Sequence, residues 1–386
     1  MSSSLSRTVL ARLVALAGAT LAALALCSST QAADPIRIGM IAPSTGPVAE
    51  SGKFQTQGAQ LAVDEINKAG GVLGGRMLEL VIEDDQSSNP GAVLAFTKVA
   101  GDKEIAAFLG PIRSTQVHAI APEVLKAAKP VMIGGTDPSL THMDNPWLFR
   151  FRPNDSYSAR VIADFGVNTL GKKKWVIVHS TDAFGTAGMN SLVASLKGMG
   201  IEPALIQGYS NNSQDFTPVV LAVKQSGGDI LGTYMTNEPD QGIFAKQLQQ
   251  LGVKMAWVGS PTTVTTTALK LAGAALYGSY AVVDFNRDAN PAAKDFAAKY
   301  EARFKSTPDI FSSWTYDAVH VLALAINSGK SLDPAKLRES ILAVQGYQGA
   351  EGIYNFDKNG DGLHGYNIVK NNDGTVVFEK HIDFKD

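Results

Sequence analysis

From Ile36 onward the chain alternates short apolar runs with helix-patterned stretches, and it does so twice. The first set opens with "IRIGMIAP". In "SGKFQTQGAQLAVDEINKAGG", Phe54, Leu61, Ala62, Ile66 and Ala69 then recur at helical spacing until Gly70 and Gly71 end the helix. "MLELVIEDD", "NPGAVLAFTKVAGD", "IAAFLGP", "STQVHAIAPEVLKAA" and "PVMIGG" continue as strand, helix, strand, helix and strand. After "WLFRFRPND" the pattern restarts with "SYSARVIADFGVNTLG" and "KWVIVHS" and runs to the strand "MAWVGS". Such alternation predicts parallel sheets covered by helices on both faces, here as two doubly wound α/β units. Three further helices follow: "NPAAKDFAAKYEARFK", "SWTYDAVHVLALAINSG" and "DPAKLRESILAV". The tail, "GIYNFDKNGDGLHGYNIVKNNDGTVVFEKHI", alternates and carries Asn/Asp-Gly turns, so it reads as antiparallel strands. No low-complexity linker separates the units, so the chain is expected to cross between them more than once.

The first residues read as a secretory signal peptide. Arg7 and Arg12 precede the apolar "LVALAGATLAALAL", and the small residues of "SSTQAADP" put cleavage after Ala32 or Ala33. That run is shorter than the ~20 residues a spanning helix needs. Cys27 raises a lipoprotein alternative, but Leu26 stands where lipoprotein processing wants a small residue. The chain has one cysteine, so without its leader it relies on its core and not on disulfides. Cleavage after Ala32 would leave 354 of the 386 residues, a length that predicts two domains. With a net charge of −2 and no basic block, nucleic acid is not an expected partner. A composition of 45% hydrophobic and 18% charged residues excludes a disordered chain.

Open α/β sheets bind ligands beyond the carboxyl ends of their strands, so the strand-to-helix turns are the places to search. "GPIRST" brings Arg113, Ser114 and Thr115 to a helix start, where exposed N–H groups favour an anion and a hydroxyl adds a donor. Plain capping by Ser114 is the other reading. In "PVMIGGTDPSL", Gly134 and Gly135 let backbone approach a ligand and Thr136 adds a hydroxyl, although Asp137-Pro138 could be only a turn. Together the two turns suggest one carboxylate-sized site. The second unit offers Phe184, Asn237, Glu238 and Thr262 at the equivalent strand ends, so a cleft between the units would be lined by both sets. Catalytic and metal readings are weak. His179, Ser180 and Asp182 are near neighbours in sequence, whereas a triad is assembled in space. The histidines show no paired spacing for a metal, and no cofactor is expected. "DKNGDG" at 357–362 mimics the start of a calcium loop, but Ile368 stands at position 12 where a glutamate is required, so it reads as a β-turn. "FSSWTYDAVH" reads as helix core.

The stretch from "IRIGMIAP" to "NPGAV" resembles the opening of solute-binding proteins of the branched-chain (hydrophobic) amino-acid ABC transporter family. "DEINKAGGVLGGR" is its most specific part, and the Gly-Pro turn at 110–114, "FRFRPND" at 149–155 and "YDAV" at 316–319 extend it. The resemblance implies a type I periplasmic binding fold, with two α/β lobes joined by three hinge crossovers. It puts lobe 1 at 33–152 and 285–363 and lobe 2 at 153–284 and 364–386, after a signal peptide at 1–32. It also implies a ligand carboxylate held at Ser114, Gly134 and Thr136, and an aromatic wall at Phe184. Two departures stand out. The family's acid for the ligand ammonium falls on Thr262, and an aromatic of the first loop falls on Ser51. Glu238, Asp182 or Asp284 could substitute for the acid, and Arg113 could clamp the carboxylate. The expectation is a monomeric, non-enzymatic periplasmic component of an ABC importer. It would capture a branched-chain or hydrophobic amino acid, or a related small carboxylate, and deliver it to an inner-membrane permease. The alternatives are a binder of amine-free aliphatic or aromatic carboxylates and, from another class, a ligand-sensing regulator or receptor domain. A periplasmic hydrolase would need an activated nucleophile.

Overall fold

The computed structural model describes residues 33–384, so the expected signal peptide and Cys27 lie outside the described residues. Strand β1 (Ile36–Ala42) leads into helix α1 (Ala49–Lys68), β2 (Leu78–Asp84) into α2 (Asn89–Ala100), and β3 (Ile105–Leu109) into α3 (Ser114–Ala127). Strands β4 (Val131–Ile133) and β5 (Leu148–Arg150) complete a five-stranded parallel sheet of order β2-β1-β3-β4-β5. Its inner strands β3 and β4 are apolar throughout and buried along their whole length, as strands covered on both faces must be.

The chain then enters a second sheet. Helix α4 (Asp155–Asp164) precedes β6 (Trp175–Ser180), α5 (Ala183–Gly198), β7 (Leu205–Tyr209) and α6 (Thr217–Gln225). Strand β8 (Ile230–Tyr234), α7 (Glu238–Gln250), β9 (Ala256–Gly259), α8 (Thr266–Ala272) and β10 (Tyr280–Val283) follow. Helices α9 (Pro291–Phe304), α10 (Ile310–Gly329) and α11 (Pro334–Leu342) return to the first core. There Thr315 of α10 donates to the Gln55 carbonyl of α1 at 2.8 Å. A short hairpin of β11 (Tyr347–Gln348) and β12 (Ile353–Tyr354) precedes the last pair, β13 (Gly365–Asn372) and β14 (Thr375–Asp383). The second sheet has the order β14-β13-β10-β9-β8-β6-β7, and β13 pairs antiparallel with both β10 and β14. The mixed edge therefore comes from the tail that the sequence marks with its Asn-Asp-Gly turn. Among the described residues, no helix is long and apolar enough to cross a membrane.

The chain passes between the sheets at residues 151–154, 284–290 and 355–364. Buried polar groups stitch these passages together. Arg150, fully buried, holds Asp361 with Nε at 2.8 Å and Nη2 at 3.1 Å. Arg152 grips Asp284 through Nε and Nη2. Tyr366 donates to the Pro153 carbonyl at 2.7 Å, and Asn367 to the Asp284 carbonyl at 2.9 Å. The 357–362 stretch is the turn that presents Asp361: the Asp357 carboxylate accepts the Asn359 and Asp361 N–H groups at 2.8 and 2.9 Å. Burial works against ionising Asp361, but the Arg150 guanidinium outweighs it and holds the carboxyl below its usual range. Removing one partner of such a pair leaves a buried charge, so Asp361→Ala should cost ~3–5 kcal/mol. Urea unfolding measures this, and an unchanged midpoint would show that the pair is dispensable.

Candidate functional site

Five strand-to-helix turns, two from the first sheet and three from the second, converge on one cavity. Ile112, Arg113 and Ser114 follow β3, and Thr136 follows β4. Phe184 follows β6, Thr236 and Glu238 follow β8, and Pro261 and Thr262 follow β9. Arg152 and Phe311 complete the lining. This is where open α/β sheets place their ligands.

Ser114 is not the cap of α3. The N-cap is Arg113, in extended conformation, and no side chain caps the helix. The Ser114 hydroxyl oxygen instead accepts the N–H groups of Thr136 and Asp137, both at 3.1 Å. A serine hydroxyl has one proton and two lone pairs. With its oxygen engaged twice, Ser114 keeps its proton for an acceptor at the cavity wall. Thr136 has the opposite polarity: its hydroxyl donates to Asp155 at 2.8 Å, leaving lone-pair capacity and not a donor. The donor role expected of this threonine is therefore taken by Asp155.

The two glycines of this turn are small for packing reasons. A Cβ on Gly134 would meet the Trp314 indole at 2.9 Å, and one on Gly135 would meet Leu140 at 2.7 Å. The Gly134 carbonyl accepts from Arg152 Nη1 at 3.2 Å. Thr115 reaches across the cleft, its hydroxyl oxygen accepting the Ala183 N–H at 3.3 Å. Ser51 lies within helix α1, buried, and not in a preceding loop. Asn237 turns away to bond Asn212 at 3.0 Å and does not line the cavity.

The far wall is set by Phe184, edge-on to Tyr234 with centroids 5.8 Å apart. With Ile112, Pro261 and Phe311 it makes an apolar surface. Phe311 lies in the first turn of α10, so the aromatic-rich stretch read as helix core also supplies one face of the cavity. The Thr262 hydroxyl donates to the Met235 carbonyl at 2.7 Å. Glu238, the first residue of α7, is 1% exposed and lines the cavity. Its Oε2 stands 3.5 Å from Arg113 Nη2. Burial pushes its pKa up; Arg113 and, more weakly, the Ser51 hydroxyl oppose this, yet no donor reaches hydrogen-bonding geometry with either oxygen. Arg152 keeps its charge: burial disfavours it, but Asp284 outweighs burial and raises its pKa. The neighbours His179, Ser180 and Asp182 form no triad, for His179 Nδ1 bonds the Ser180 carbonyl and Ser180 Oγ donates to Asp182.

Residues 35–375 match a family described as periplasmic binding protein. A leucine-, isoleucine-, valine-, threonine- and alanine-binding protein of Pseudomonas aeruginosa is 28% identical over 95% of each chain. Among solved structures, a leucine-binding protein of Thermotoga maritima is similar with a TM-score of 0.84 and 25% identity, over 90% of this chain and 99% of that one. A solute-binding protein of an ABC transporter from R. palustris, solved with benzoate, has a TM-score of 0.82 at 20% identity, over 90% and 96%. The last likeness speaks for the fold.

Asp155, under Thr136, gives the site a signature in stability. Burial pushes its pKa up to about 7, against the hydrogen bond from Thr136. The unfolded value is ~3.9, so the folded protein holds this proton more tightly. The associated stability is complete below the unfolded value and is lost as pH rises toward about 7. Asp155→Asn should therefore make the decline in stability between these limits shallower. Denaturant unfolding across that range tests this, and an identical slope in the variant would contradict it.

Proposed function

The chain belongs to the periplasmic binding protein family, and on that footing we propose that it is the substrate-binding component of an ABC importer. It captures, in the periplasm, a small solute with a carboxylate and a hydrophobic side chain, and presents it to an inner-membrane permease. The observation that carries this reading is the α3 terminus. Its helix start has no side-chain cap, Arg113 stands at the N-cap, and the Ser114 proton is available, all on a cavity with an apolar far wall. Helix N-termini favour anions through their partial positive charge. The apolar wall suits an aliphatic or aromatic side chain. The name of the Pseudomonas aeruginosa relative, with leucine, isoleucine, valine, threonine and alanine, supports amino acids as the solutes.

We take lobe 1 as residues 33–152 and 285–363 and lobe 2 as 153–284 and 364–386, with hinge closure burying the ligand between them. The protein performs no chemistry on its ligand. An amine-free carboxylate is the competing reading, because Thr262 offers no charge and its proton is committed to Met235.

Thermal melting of the ligand-stripped mature protein tests the proposal. The panel is hydrophobic α-amino acids beside the same skeletons and benzoate-like rings without the amine. A true ligand at 100 times its dissociation constant adds ~2.7 kcal/mol and raises the melting point. Absence of a shift with either set would sink the proposal. Ser114→Ala should weaken the ligand found by ~1–3 kcal/mol, the scale for removing one partner of a buried polar group. Titration calorimetry reads this, and unchanged affinity would remove Ser114 from the carboxylate site.

A further inference from the structure

Asp182, Glu238 and Asp284 are the acids that could stand in for the one replaced by Thr262. Two are already engaged. Asp284 takes both Nε and Nη2 of Arg152. Asp182 Oδ1 accepts from Gly185 N–H at 2.9 Å, Ser180 at 3.0 Å and Thr236 at 2.8 Å, and its Oδ2 accepts from Asn211 at 2.7 Å. Glu238 differs. It lines the cavity, and no donor meets either of its oxygens in full hydrogen-bonding geometry, although its own N–H and the Ser51 hydroxyl lie close enough to favour its charge. Its 3.5 Å contact with Arg113 is longer than a charge-assisted hydrogen bond. Arg113 Nε likewise lacks an acceptor.

The cavity therefore holds a cation from the turn after β3 and an anion from the turn after β8, close together and incompletely bonded. Buried charges left in this condition are costly. A ligand with both an anionic and a cationic group completes both: its carboxylate meets Arg113 and the Ser114 proton, and its ammonium meets Glu238 and the lone pair of Thr136. An amine-free acid completes only the first half and brings a second negative charge beside a desolvated carboxylate. Resting on the reading that this cavity holds the transported carboxylate, we propose that Glu238 is the specificity-determining residue, selecting for solutes that carry a cationic amine.

The test is calorimetric titration of the ligand-stripped mature protein, wild type and Glu238→Gln. The probes are leucine, valine and phenylalanine, each beside its amine-free counterpart (4-methylpentanoate, 3-methylbutanoate and 3-phenylpropanoate). Wild type should bind its best amino acid about 100-fold tighter than the counterpart, and Glu238→Gln should lose about 10- to 100-fold for that amino acid, the range for a hydrogen bond to a charged group. The variant should also gain affinity for the counterpart. Amino-acid binding that is indifferent to Glu238→Gln overturns the inference and leaves the transport reading intact. Preference of wild type for the amine-free acids overturns it as well, and that comparison needs no variant to fold. If neither set binds wild type, the reading of the cavity falls and the inference falls with it.

Discussion

The ion pair between Arg152 and Asp284 is the contact on which both the fold and the site depend. Arg152 lies on the first passage between the sheets and Asp284 on the second. Burying two charges gains little net stability compared with apolar packing of the same volume. What the pair provides is position. The same guanidinium bonds the Gly134 carbonyl and faces the cavity. The segments that join the two sheets are thereby fixed relative to the turn that carries Thr136. Arg150, the last residue of β5, and Asp361 tie the start of the first passage to the third, so the cleft is hung on two arginines spaced two residues apart.

The electrostatic asymmetry of the cleft comes from two helix starts. Both α3 and α7 begin at its wall without a side-chain cap. An arginine at the N-cap of α3 adds to the positive end of that helix. A glutamate at the first position of α7, with Asp240 behind it, offsets the positive end of the other. The dipoles alone would make both sides attract anions. On the proposed reading the two side chains divide the cleft into an anion side and a cation side. Ser114 and Thr136, on neighbouring turns, reinforce the division, since one keeps a proton and the other keeps a lone pair.

The strand and helix order was legible because both sheets are mostly parallel, so each strand is a short apolar run closed by a turn and a helix. The turns were legible for the same reason: beyond a parallel strand the next polar residues must lie at the sheet's carboxyl edge. Ser114, Thr136, Phe184, Glu238 and Thr262 follow from that rule alone. Direction of bonding does not. Whether Thr136 donates inward or toward Asp155, and whether Asn237 faces the cavity or Asn212, depends on neighbours far away in sequence. Arg152 and Phe311 do not follow from that rule, for a related reason. Arg152 follows β5 but on the segment that leaves the first sheet for the second, and Phe311 sits on a helix returning from the second sheet and follows no strand. The alternating Phe-Arg-Phe-Arg of 149–152, with charges at every second position of an otherwise apolar run, was the available signal.

The contacts that span the cleft bear on how closure is driven. Ala183 N–H reaches the Thr115 hydroxyl at 3.3 Å, and Arg113 reaches Glu238 at 3.5 Å. Bonds this long hold the two sides weakly. A ligand shifts a conformational equilibrium only by the difference in its affinity for the two states. In the proposed complex that difference arises because Arg113 and Ser114 come from the first sheet and Glu238 comes from the second. A solute bound to one side alone satisfies half of its charges. On the proposed reading, only with both sides present are the solute, Arg113 and Glu238 all completed, so the charges that discriminate between ligands would also favour the closed state.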